Sequence, residues 1–319
     1  MIGMKQILAF SLIGILSCST QAMQLLDDKS LAQTTGQDGI TISIHNNNGK
    51  VTFDSIALET DGMIGSATHD KAAAINYTPT QSGTGIAFYG GSARNTPILS
   101  PISLVVDADG GAGNPLANIS IAFAKDLSRI TLEQFTFSLS TLDPNTHNMI
   151  ASTKRDLLRT GQDGVVIDLV ENNPLTINMQ LGNNLQKYNA THSAMFIVSG
   201  GALKQIEANN LEVMSYACTS APTPICSEDG KLTLDLKLSA TNSSGVRLNG
   251  LYGAVSANGL EFGKVGTLDP FDLKISNLTI GEAGERSATV FNNLKNGSIG
   301  NIGMNGMSIT DFKMTVSGM

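Results

Sequence analysis

The sequence predicts an all-β protein, with two antiparallel sheets in a sandwich-like arrangement joined by Gly- and Asn-rich turns. Three observations carry that prediction. Charged residues make up only 15% of the 319 residues, with 33 Gly and no Trp; helical proteins carry more Glu, Lys, Arg and Ala. Short apolar/polar alternations recur along the chain, which is the period of a strand with one buried face. The polar turn Thr35-Gly36-Gln37-Asp38-Gly39, leading into Ile40-Thr41-Ile42, returns as Thr160-Gly161-Gln162-Asp163-Gly164, leading into Val165-Val166-Ile167. A β-barrel and a partial β-solenoid are the alternatives that the same pattern allows.

Residues 1–22 read as an export leader. Lys5 supplies the positive start, and Ile7 to Leu16 is an apolar run too short to span a bilayer. Thr20-Gln21-Ala22 places small residues for cleavage before Met23; the rival outcome is lipidation at Cys18, because Ile15-Leu16-Ser17-Cys18 loosely resembles a lipobox. Asp27 or Asp28 can cap a brief helical turn carrying Leu31.

The first β region, 23–150, opens with the first copy of the turn. Ile40, Ile42 and Ile44 predict a strand with a buried apolar face, and Asn46-Asn47-Asn48-Gly49 a hairpin turn returning through Val51 and Phe53. Short strands follow near Ala74–Tyr77 and Gly85–Tyr89, then an apolar strand Ile102–Asp107 and a flexible turn from Asp107 to Asn114. Ile119–Phe123 and Ile130–Leu139 alternate, the latter with a bulge near Gln134.

The second β region, 151–319, begins at a weak boundary near 145–155, where Asp143-Pro144-Asn145-Thr146-His147 precedes the second copy of the turn, although one continuous domain fits equally. Its repeated turn feeds Val165/Ile167/Leu169 and, after an Asn-rich turn, Leu175/Ile177/Met179/Leu181, so that one hairpin module is used twice. Ala194–Val198 reads as a strand, and Ile206–Tyr216 as a strand or a short helix. Leu232 to Leu238 and Phe271 to Ile280 alternate cleanly. From Gly297 onward a glycine loop and a last strand, Met307–Val316, are preferred over solenoid-like stacking.

The repeated turns read as structural. Asp38 and Asp163 are expected to accept backbone N–H bonds, and Gly36, Gly39, Gly161 and Gly164 to take positive φ. Outside the leader, Cys218 and Cys226 bracket a short Pro-bearing loop. In an oxidising compartment such a pair is expected to form a structural disulfide, contributing roughly 2–3 kcal/mol.

The formal net charge of −7 and the lack of a Lys/Arg cluster argue against a nucleic-acid partner. His45, His69, His147 and His192 are scattered, and no nucleophile elbow, phosphate loop or dinucleotide fingerprint occurs. No catalytic, cofactor-binding or metal-binding residue is therefore expected, and no enzyme. Asp107-Ala108-Asp109-Gly110 lacks the closing Glu of a Ca²⁺ loop, since position 118 is Asn. A transmembrane barrel is disfavoured by 5% aromatic residues.

The stretch Met23-Gln24 through Leu31 to Thr35-Gly36-Gln37-Asp38-Gly39-Ile40-Thr41-Ile42, directly after the leader, resembles a family of exported Gram-negative proteins of Acinetobacter and Pseudomonas relatives. The family opens with the pattern M-Q-x-L-D-D-x-x-L-x-x-x-T-G-Q-D-G-I-T, and the chain is similar to its pilus-assembly proteins of the FilA type. The resemblance spans about 20 residues. It implies a periplasmic, outer-membrane or cell-surface location and a role in fimbriae, with other pilus or surface proteins as partners. It carries over no catalytic or ligand residue. The expected function is an exported structural or interaction protein; the alternatives are an outer-membrane-associated barrel or lipoprotein, then a secreted glycan-binding module or hydrolase.

Overall fold

A computed structural model describes residues 40–45, 48–60, 73–109, 116–143, 145–146, 149–182, 195–218, 226–256, 259–264, 266–280 and 298–316. The leader, Cys18, the 27–31 turn and the first copy of the repeated turn, with Gly36, Asp38 and Gly39, lie outside the described residues.

The chain forms β1 (Ile40–Ile44), β2 (Lys50–Thr52), β3 (Ile56–Thr60), β4 (Ala73–Pro79), β5 (Gly85–Gly90), β6 (Thr96–Pro97) and β7 (Ile102–Asp109). There follow β8 (Leu116–Phe123), β9 (Leu127–Leu132), β10 (Phe135–Thr141), β11 (Arg155–Arg159), β12 (Val165–Leu169), β13 (Leu175–Gly182) and β14 (Phe196–Gly200). The last are β15 (Ala202–Cys218), β16 (Cys226–Ala240), β17 (Val246–Arg247), β18 (Leu251–Ser256), β19 (Gly259–Lys264), β20 (Phe271–Ile280), β21 (Ser298–Met307) and β22 (Lys313–Val316). A single helical turn, Ala151–Thr153, is the one helical element among the described residues.

Two antiparallel sheets result. Sheet A has eight strands in the order β1-β7-β8-β13-β14-β18-β19-β22, which is chain order throughout. Sheet B has 14 strands, and its main path, β2-β5-β9-β12-β15-β16-β20-β21, is also in chain order. The chain passes between sheets through short connections such as residues 124–126 and the single residue Gly201. The fold is therefore a stack of rungs, each with one strand per sheet. A four-strand extension, β11-β10-β4-β3, branches from the C-terminal half of the long β15. Both sheets are open, so neither closes into a barrel.

A core lies where the two sheets meet. Phe88, Ile98, Leu127 and Leu169 are buried together, with Ile86, Phe123, Ile130 and Leu203 packed against them. Full burial of each such side chain contributes about 1.5–3 kcal/mol. In sheet A one cross-strand row runs the whole width: Ile40, Val106, Ile119, Met179, Phe196, Gly253, Phe262 and Met314 stand opposite one another in turn. Gly253 is required there, because a Cβ would sit 2.0 Å from the Phe196 ring.

The root of the extension is an aromatic cluster. Tyr77 stacks on Phe135 at 4.4 Å between ring centroids and meets Phe53 and Phe137 at 5.3 and 5.5 Å. Burial, reinforced by the Glu133 charge, pushes the Tyr77 hydroxyl up to about 12. The fold thus binds this proton more tightly than the unfolded chain, whose value is 10.0. Its stabilising contribution is complete below pH 10 and is lost as pH rises toward 12. A spectrophotometric titration of the native protein should show one of the five tyrosines ionising near pH 12, a component absent from Tyr77→Phe. A native titration unchanged by that substitution would count against the burial.

Several expectations are corrected. β1 lies in sheet A and β2 in sheet B, while β12 lies in sheet B and β13 in sheet A. Neither strand–turn–strand unit is a hairpin; each is a crossing between sheets. Alternation reports one buried face, but not which strand receives the backbone hydrogen bonds. Ile130–Leu139 is not one bulged strand. β9 and β10 have different partners, and the break falls at Glu133-Gln134, where Glu133 pins Gly85: the Gly85 N–H donates to its carboxylate at 2.9 Å. Strand β7 continues through Asp109, so the expected turn at Asp107 starts later. Ile206–Tyr216 belongs to a 17-residue strand.

The Gly-rich C-terminal stretch is strand β21 and not a loop. Its pairing with β20 shifts register three times, with Gly300 and Gly306 at φ +104° and +64°. Glycine bulges of this kind are tolerated at a sheet edge. Finally, the apolar face of β1 is exposed and not buried: Ile40 is 65% and Ile42 47% accessible. Sheet B runs through the 150/151 division without a break, since β10 pairs with β11 and β9 with β12, and residues 40–319 cluster as one unit.

Candidate functional site

The repeated turn at 160–164 does not reverse the chain. Strands β11 and β12 both run antiparallel to β15, with Arg159 opposite Glu212 and Val165 opposite Ala208. Thr160 to Gly164 is thus an outward loop within one interrupted strand. The Phe135 N–H donates to Thr160 Oγ1 at 2.9 Å, the Gly161 N–H to the Asn209 carbonyl at 3.2 Å, and the Gly164 N–H to the Gly161 carbonyl at 2.9 Å. Gly164 has φ +66°, and a Cβ there would lie 1.9 Å from the Leu132 carbonyl oxygen. Gly161 is not left-handed; its requirement is close approach, with a Cβ 2.4 Å from the Asn209 carbonyl oxygen. The Asp163 side chain is exposed, and the turn is closed by backbone.

Asp163 and Gly164 line a groove of about 600 Å³ on the outer face of sheet B, with Tyr89, Arg94, Arg129, Glu207 and Asn209. The strand registers build it. Tyr89, Arg129, Asp168 and Gln205 stand opposite one another across four strands. At the base Asp168 is only 1% exposed. It accepts from Arg129 Nε at 2.7 Å and Nη2 at 3.2 Å, and from Gln205 Nε2 at 2.8 Å. Arg94, on the loop after β5, brings its Nε to 3.6 Å. The hydrogen bonding that Arg129 donates to Asp168 raises the Arg129 pKa, so this group stays a cation. Two guanidiniums, the carboxylates of Asp163 and Glu207 and side-chain amides line the groove and can hydrogen-bond a polar ligand. None of these groups except Asp163 and Gly164 was singled out by the sequence. The available signal was Asp168 itself, a carboxylate within the apolar run Val165–Leu169.

The two ends of the stack form a second surface. β1 has one neighbour, β7, and β22 has one neighbour, β19, among the described residues. The apolar row described above is half-buried from Val106 to Phe262 and is most exposed at its two ends, Ile40 and Met314, the latter 47% exposed. Val51, Ile302, Met304 and Val316 extend these apolar ends. β1 carries no charge and no Pro, the devices that ordinarily block an edge. Lys313 of β22 is held by Glu261 at 3.0 Å, and Lys50 of β2 by Glu133 at 2.7 Å.

Cys218 and Cys226 stand directly opposite at the end of the β15–β16 pair where the chain passes from one strand to the other. Opposed residues of an antiparallel pair have Cα atoms about 4.5–5.5 Å apart, within the span a disulfide bridges; their side chains lie outside the described residues. Among the described residues no cluster of His, Cys, Asp or Glu is placed to hold a metal ion. His45 Nδ1 lies 2.6 Å from Ser100 Oγ, while His69, His147 and His192 lie outside the described residues. No described helix is long and apolar enough to cross a membrane.

A family model described as "Family of unknown function (DUF6160)" matches residues 1–89. The match takes in residues 1–22, the first copy of the turn, β1 to β4 and nearly all of β5. No curated protein and no solved structure matches the chain.

Proposed function

We propose that this chain is an exported structural protein of a pilus-like or other cell-surface assembly, and that it docks by strand addition at its open sheet edges. The observation that carries the reading is the pair of uncapped ends: among the described residues, β1 and β22 each leave one side of the backbone ladder unpaired and an apolar face exposed. Strand addition supplies affinity through main-chain hydrogen bonds and specificity through alternate side chains. The resemblance of residues 23–42 to exported pilus-assembly proteins agrees with that use.

The test is Ile42→Lys, a charge placed on the exposed face of β1. Because Ile42 is already 47% exposed, folding stability should change by no more than about 0.5 kcal/mol. The variant should keep the wild-type urea midpoint yet drop at least tenfold in its recovery with the cell-surface fraction. Undiminished recovery would remove the edge from any docking role. Mass spectrometry of the mature N-terminus separates a start at Met23 from a lipidated Cys18.

A further inference from the structure

We propose that copies of this chain add head to tail, β22 of one copy extending sheet A through β1 of the next. The inference rests on the edge-docking reading above and names its partner as a second copy.

Strand parity is the first argument. Sheet A has eight strands, all paired antiparallel, so β1 and β22 run in opposite directions. The main path of sheet B also has eight, so β2 and β21 are likewise opposed. A second copy in the same orientation therefore presents an antiparallel strand to both sheets at once. An odd count in either sheet would force parallel pairing or inversion there.

The second argument is continuity of the faces. The apolar row that begins at Ile40 ends at Met314. A register using all of β22 sets Val316 against Ile40, Thr315 against Thr41, Met314 against Ile42 and Lys313 against Ser43 of the next copy. Apolar residues then meet apolar residues, polar residues meet polar ones, and no like charges are opposed. The same pairing covers the exposed faces at both ends of the molecule. Sheet A is assigned the register-specific contact because β21 is bulged by its glycines and β2 is only three residues long. Such a contact uses different surfaces on the two copies and does not close, so growth continues along the stack.

The experiment is oxidative cross-linking of the purified protein with cysteines on the polar side of the two edges, Thr41→Cys and Thr315→Cys. Both positions are exposed, so the fold should tolerate them. The parent, carrying the native Cys218 and Cys226, sets the background. Each variant alone should give no cross-link above the parent's background, an equal mixture should give one cross-linked dimer, and the doubly substituted chain should give a rising ladder of cross-linked oligomers. Adding Ile42→Lys to that chain should abolish the ladder. Dimers from either single variant alone would mean a two-fold edge contact and would overturn the proposal. So would a mixture that stays at background, the result expected if residues 23–39 of the same chain or a different protein occupy the edge. If Ile42→Lys still costs surface recovery while the mixture stays at background, the edge docks another occupant and only this inference fails. If neither responds, the docking reading fails with it.

Discussion

Replacing Gly164 with Val is expected to destabilise the protein by about 3 kcal/mol or more, combining left-handed strain of about 1–3 kcal/mol with a similar cost for displacing packed atoms. The backbone there has φ +66°, where a β-branched residue is a genuine outlier. Its Cβ would fall 1.9 Å from the Leu132 carbonyl oxygen and 2.7 Å from the Glu133 carbonyl carbon. Both obstacles are backbone, and the Glu133 segment is itself tied to Gly85, so a small adjustment cannot relieve them. The check is the urea midpoint, which should fall with an unchanged slope. Gly164→Ala tests the close contact with less bulk and should fall between wild type and Val. A Val variant with the wild-type midpoint would show that the loop does not hold this conformation in solution.

Asp168→Ala is expected to cost about 3 kcal/mol, the lower part of the range for breaking a buried ion pair by removing one partner. The carboxylate accepts three hydrogen bonds at the base of the groove and stands beside Arg94 as well. Arg129 keeps 31% of its side chain accessible, so water offsets part of the loss, which places the expected cost at the low end. A double-mutant cycle with Arg129→Ala measures the pairing itself, and a coupling of about 1 kcal/mol or more is expected for residues in one network. Additive losses would mean that Asp168 acts through Gln205 and packing, not through the ion pair.

Much of the architecture was legible in the sequence because alternation is a local property. Leu232 to Leu238, Phe271 to Ile280 and Leu175 to Leu181 each became a strand with the expected apolar set. The candidate groove was hardly legible. Arg94, Arg129, Asp168 and Gln205 are scattered along the chain, and they meet only because β5, β9, β12 and β15 are neighbours. The repeated turn was recognisable, and Gly164 was rightly expected at positive φ, but its neighbours decided its role. Opposite Asn209 and Asn210 the same five residues make an outward loop in an interrupted strand and not a hairpin opening.

By itself, then, the sequence determined that the chain is all-β, where most strands lie and which side of each is apolar. Propensity, the two-residue period and glycine's access to positive φ act over a few bonds and leave their mark locally. Only the tertiary structure decided which strands are neighbours, that the chain alternates between two sheets, and that both sheets end open among the described residues. Those outcomes depend on hydrogen bonds between residues far apart in sequence, and the alternation of Ile40, Ile42 and Ile44 is the same whether a strand is covered or waiting at an edge.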